Sequence, residues 1–112
     1  MEALNAVTAL SALAQGHRLE VFRLLVQAGT QGIPAGEIGE TLDIPLSTLS
    51  FHLKELKQAG LIGYRREGRT LFYFADYSAM NRLLAYLMEN CCLGQPESCA
   101  DSAACAQAPK RK

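Results

Sequence analysis

The first ninety residues contain no cysteine; all four lie at positions 91, 92, 99 and 105. No two are spaced Cys-x-x-Cys, the pairing typical of structural zinc sites. Histidine is equally scarce, limited to His17 and His52. No apolar run approaches the length of a membrane span, and the N-terminus lacks the basic and continuous apolar regions of a secretory signal. These absences predict a cytoplasmic chain with no membrane role, whose cysteines are thiols or ligands rather than structural disulfides. No nucleophile–base pair, phosphate loop or paired-acid constellation is present, so an enzyme is the least favoured class. Repeats are absent too, and 112 residues make one domain with a short tail. The expected division is 1–92 for the domain and 93–112 for the cysteine-containing tail.

What is present centres on Ile44–Ala75. Leu46, Leu49, Leu53 and Leu56 recur at helical spacing, after Pro45 and before a stop at Gly60. Away from that stripe lie Ser47, Thr48, Ser50, Phe51, His52 and Lys54. Small hydroxyls near a helix N-terminus, a cation further on and an aromatic with no core to enter suit a DNA major groove. Phe51 could meet a thymine methyl there. The helix-only alternative is an ordinary solvated face. The next residues argue against it. Leu61–Arg66 and Arg69–Ala75 are rich in β-formers, with Glu67 and Gly68 expected as the two-residue turn. Arg65, Arg66 and Arg69 gather at the tip as candidate phosphate contacts. Charge follows this unit. Residues 44–74 carry five cations against two carboxylates, while 1–43 and 75–109 are each net −3.

Around it, Leu4, Val7, Leu10, Leu13 and Ala14 form one stripe of a first helix, broken at Gly16. A second helix, from about His17 to Ala28, is expected to turn Leu19, Phe22, Leu25 and Val26 inward. Pro34 to Asp43 gives a short third helix, so that the third and fourth form a helix-turn-helix. Asp76 can cap a last helix running from Tyr77 to about Cys92, with Met80, Leu83, Leu84, Leu87 and Met88 on its stripe. The expected fold is therefore mainly α with a small β-hairpin, a winged helix-turn-helix. Its first and last helices offer more apolar surface than so small a core can cover. They are expected to pair in a two-fold homodimer, setting two reading helices roughly 34–36 Å apart on double-stranded operator DNA.

The cysteines are the chemically distinctive residues. Burial could account for Cys91 and Cys92, which continue the last helix's stripe. It does not account for Cys99 and Cys105 on a polar tail. Thiolates select soft acceptors. Two adjacent sulfurs and a third from the tail make a trigonal pyramid, which suits arsenite or antimonite. Cys105 as a fourth ligand would instead allow zinc, cadmium or lead. A thiol redox sensor, and a metal-buffering or arsenic-carrying protein without a DNA role, are the remaining alternatives. The negative pole of the last helix should keep Cys91 and Cys92 protonated at rest.

The strings ALSALAQGHRLEVFRLL and EIGETLDIPLSTLSFHLKELKQAGLIGYRREGRTLFYF resemble the ArsR/SmtB family of metal-responsive repressors, from about Ala9 to Phe74. The family's Ser-x-x-x-His-Leu-x-x-Leu-x-x-Ala-Gly-Leu pattern falls on Thr48–Leu61, with Thr48 for the Ser. The wing pattern Arg-Glu-Gly-Arg falls on Arg66–Arg69. The resemblance implies a winged-helix homodimer that blocks a promoter until an inducer binds. One family sensor site needs Cys-x-Cys before the recognition helix, and another needs His on the last helix; this sequence has neither. Cys91, Cys92 and Cys99 resemble the vicinal pair and third cysteine of arsenic-sensing members, which implies arsenite as inducer. Cys105 is additional to that pattern.

Overall fold

In the computed structural model, which describes residues 1–94, five helices surround a small antiparallel sheet. The elements are α1 (Ala3–Leu13), α2 (Gly16–Ala28), β1 (Ile33–Pro34), α3 (Ala35–Leu42), α4 (Leu46–Gln58), β2 (Ile62–Glu67), β3 (Thr70–Ala75) and α5 (Tyr77–Leu87). A 3-10 turn follows at Cys91–Gly94. This is the winged helix-turn-helix architecture.

The core is built where α2, α3 and α4 meet. Val21, Leu25, Ile38, Leu49, Leu56 and Leu61 are its fully buried large side chains. Leu49, Leu53 and Leu56 of α4 are buried as their spacing predicts, but Leu46 is exposed at the helix start. Leu19 and Val26 also differ from expectation. Val21, Phe22 and Leu25 take the core positions of α2, which rotates Leu19 and Val26 outward. Gln15 caps α2 by accepting from the Arg18 amide. Gly16 is thus the first helical residue rather than a break between helices.

The sheet has the order β1-β3-β2. β1 carries no sequence signal, and the helix expected from Pro34 begins at Ala35 instead. The strand pairs Ile33 with Tyr73 and Pro34 with Phe72, and only then does α3 begin. Gly32 permits this approach. Its φ is +82°, and a Cβ there would lie 2.7 Å from the Tyr73 carbonyl oxygen. In the hairpin, Glu67 pairs with Thr70, so the turn residues are Gly68 and Arg69, one later than expected. Gly68 at the first central position takes φ +65°, as a two-residue hairpin loop can require.

Helix α5 starts as its sequence predicts: the Asp76 carboxylate accepts from the Ala79 amide at 2.9 Å. Tyr77 ties it to α2, donating its hydroxyl proton to the Val26 carbonyl at 2.8 Å. It ends at Leu87, well short of Cys92. Asn90, with φ 59°, takes the left-handed conformation that Asn tolerates better than most residues. Cys91 and Cys92 are therefore not a continuation of the helical stripe. Among the described residues, no helix is long and apolar enough to cross a membrane.

Candidate nucleic-acid interface

The reading helix is set by the turn before it. Asp43 takes a left-handed φ of 58°, ending α3, and the Ile44 amide donates back to the Gly39 carbonyl at 2.9 Å. Ile44 is buried under this turn, and Pro45 N-caps α4. The chain must pass close by at Gly39, where a Cβ would sit 3.0 Å from the Ile44 carbonyl oxygen. With Leu49, Leu53 and Leu56 locked in the core, the opposite face of α4 is fixed. Ser47, Thr48, Ser50, Phe51 and Lys54 all lie exposed along it, and Phe51 is 55% exposed. An exposed aromatic flanked by hydroxyls and a cation offers donors, acceptors and an apolar patch to base edges.

His52 does not belong to this face. Only 6% of it is exposed, and its Nδ1 is buried with no hydrogen-bond partner. The reason is spacing: position 52 follows Leu49 by three residues and precedes Leu56 by four, so it lies on the core stripe. Its ring meets the edge of His17 at a centroid distance of 5.5 Å and that of Phe51 at 5.8 Å. Burial holds the imidazole below the ordinary 6.5, and nearby Arg18 and His17 push it the same way. His52 is a buried residue on the core side of the reading helix, turned away from its exposed face.

The wing arginines divide by register. Arg65 stands opposite Phe72 and Arg66 opposite Leu71, so the two side chains point to opposite faces of the hairpin. Arg66 and Arg69 are exposed. Arg65 is engaged by the protein itself: Nε donates to Glu67 Oε2 at 2.6 Å and Nη1 to the Thr30 carbonyl at 3.2 Å. Its guanidinium also lies 5.2 Å from the centre of the Phe72 ring. Two further exposed residues join the surface: Lys57, the second lysine of the helix, and Tyr64, which sequence reasoning did not single out. Lys57 places its ammonium 5.2 Å from the centre of the Tyr64 ring, bridging α4 and the wing. Strand alternation, which puts Tyr64 on the Arg66 face, was the signal available for it.

At the far end of the described chain, Cys91 and Cys92 are half-buried with their Sγ atoms 2.9 Å apart. Positive φ values at Asn90, Cys92 and Leu93 turn the backbone there. Cys99 and Cys105 lie outside the described residues. Among the described residues no group of three or more potential ligands is assembled.

Comparison with known proteins agrees with this geometry. A family model described as a helix-turn-helix domain matches residues 13–64. The transcriptional activator HlyU of Vibrio cholerae is 30% identical over 83 residues, 74% of each chain. In a solved structure of HlyU, covering 78% of this chain and 97% of that one, identity is 34% and the TM-score 0.62. The chain belongs to the ArsR family of winged helix-turn-helix regulators. A homodimeric winged helix-turn-helix domain from Mycobacterium bovis, a possible ArsR-family regulator, is 28% identical with TM-score 0.63, covering 75% and 76% of the two chains. A possible transcriptional regulator for arsenical resistance is 25% identical with TM-score 0.61, covering 84% of this chain and 95% of that one. The chain spans 60% of the length of one curated relative, an uncharacterized helix-turn-helix regulator of Bacillus subtilis, and 87% of another, a helix-turn-helix regulator of Escherichia coli. As an ArsR-family protein, this chain is a transcriptional regulator with a helix-turn-helix DNA-binding domain, and neither its relatives nor its fold are those of enzymes.

Proposed function

We propose that this regulator is a metalloid-responsive repressor, acting in the cytoplasm. It binds double-stranded operator DNA as a homodimer and is released when arsenite, or antimonite, binds Cys91, Cys92 and Cys99. The observation that carries the reading is the thiol pair at 2.9 Å just beyond α5. Two sulfurs that close need little rearrangement to share one soft acceptor. The resemblance to a possible regulator of arsenical resistance supports the same direction.

Three thiols exchange for the three hydroxyls of arsenous acid. The thiol protons leave with those hydroxyls as three waters, and no electrons are transferred. The site adjoins the exposed Leu84 and Leu87 of α5, which with Leu4, Val7 and Leu10 of α1 form the surface for a second copy. Closing the tail at that seam alters the placement of the two reading helices. Full release requires about 5 kcal/mol of differential binding.

The test is DNA binding by anisotropy, on the promoter fragment upstream of its own gene, with arsenite titrated in. Cys91→Ser, Cys92→Ser and Cys99→Ser should each bind DNA as the parent does and lose release. Normal release by these variants removes the site assignment; release of the parent by peroxide and not by arsenite favours the thiol redox reading. Release by zinc, cadmium or lead, lost in Cys105→Ser, favours a four-thiolate site instead.

A further inference from the structure

The hairpin is anchored unevenly. β1 pairs with β3 only at Ile33–Tyr73 and Pro34–Phe72, so Arg66 to Leu71 project beyond the third strand as a two-stranded ribbon. Such ribbons are marginal alone. Arg65 sits at the boundary, opposite Phe72, the last residue of β3 towards the tip that β1 holds. Its three contacts reach both ways: Nη1 to the Thr30 carbonyl in the loop before β1, the guanidinium plane to Phe72, and Nε to Glu67 near the tip.

We propose that Arg65 is the positioning residue that fixes the angle of the wing on the domain, serving DNA binding through Arg66 and Arg69 rather than through a phosphate of its own. Three features carry this. A planar guanidinium can donate in two diverging directions while stacking on a ring; an ammonium cannot. Leaving to meet a phosphate would forfeit both the Glu67 and the Thr30 hydrogen bonds and leave the Glu67 carboxylate uncompensated near the tip. Finally, Arg66 faces the other side of the ribbon, so one duplex backbone does not meet both side chains from the same face. The DNA role rests on the helix-turn-helix reading, whereas the positioning itself is measurable in the free protein.

The experiment compares Arg65→Lys with Arg66→Lys and Arg66→Ala in the full chain. Hydrogen exchange of the hairpin amides is measured without DNA, and affinity is measured on a mixed-sequence duplex across a salt series. Arg65→Lys keeps the charge but should speed hairpin exchange about three- to tenfold, the range expected from losing a net hydrogen bond. It should weaken duplex binding by a similar factor while leaving the global unfolding midpoint unchanged. Arg66→Lys should alter none of these, and Arg66→Ala should lower the salt slope by about 0.9 with exchange unchanged. The proposal is overturned if Arg65→Lys leaves exchange unchanged, whatever its effect on affinity, since that marks a direct phosphate contact or an idle one. It is equally overturned if exchange rises and affinity does not fall. A parent protein that ignores the duplex would remove the DNA reading alone, because exchange still reports on the wing.

Discussion

Helices α1 and α4 share a leucine-rich helical rhythm and come to opposite ends. In α4 the leucines at 49, 53 and 56 are sealed in the core. In α1 the buried residues are Ala6, Ala9 and Ala12, while Leu4 is 74% exposed and Val7 and Leu10 also face out. The small side chains let α1 lie close against α2 and α4, and the large ones are left without a partner in the single chain. Helix α5 repeats the arrangement, burying Ala79 and Leu83 while exposing Leu84 and Leu87. Periodicity therefore marks an apolar face but not what covers it. In α4 that face holds the domain together; in α1 and α5 it is surface of the kind a second copy would cover.

The contrast can be broken most directly at Leu56. Leu56→Ala removes a side chain with no exposure and should cost about 2–5 kcal/mol in urea unfolding at concentrations too low for the chains to associate, against a few tenths for Leu4→Ala under the same conditions. Equal costs would mean that α1 is as much part of the monomer core as α4. The next effect concerns association. Leu10→Glu should leave helix content unchanged but raise the dimer dissociation constant roughly tenfold to a hundredfold, the equivalent of about 1.5–3 kcal/mol of lost apolar burial. Sedimentation velocity over a concentration series would read it, and an unchanged association state would assign the α1 face to some other use.

How much of this could be read beforehand follows from the same distinction. The reading helix was legible because Leu49, Leu53 and Leu56 mark its core face, and the hairpin because β-formers flank Gly68. β1 was not, since two residues have no period of their own and are a strand only through Tyr73 and Phe72. The end of α5 was overrun because Met88, Cys91 and Cys92 fit the stripe, while the cap at Met88 and the left-handed Asn90 beyond it are local backbone events. Arg65 could be seen as a cation but not as an engaged one, because Thr30 lies 35 residues away in sequence. Of the α4 residues read as facing out, Ser47, Thr48, Ser50, Phe51 and Lys54 do so; His52 does not, its polarity suggesting an outward position that its spacing denies, and Leu46, read as core, is exposed at the helix start.

His52 supplies the smallest and most specific test. An imidazole buried among apolar side chains, near Arg18 and the ring of His17, binds a proton less readily folded than unfolded. Because the folded-state value is depressed, its contribution to stability is complete above the unfolded value of 6.5 and is lost as pH falls below it. Urea unfolding on both sides of that pH should show the parent weakening towards acid and His52→Gln weakening less. Above it, Gln breaks no hydrogen bond at the position of Nδ1, which makes none. Identical pH profiles for the two proteins would place His52 in a wetter setting than the core of α4, and the division between buried and outward faces of that helix would have to be drawn again.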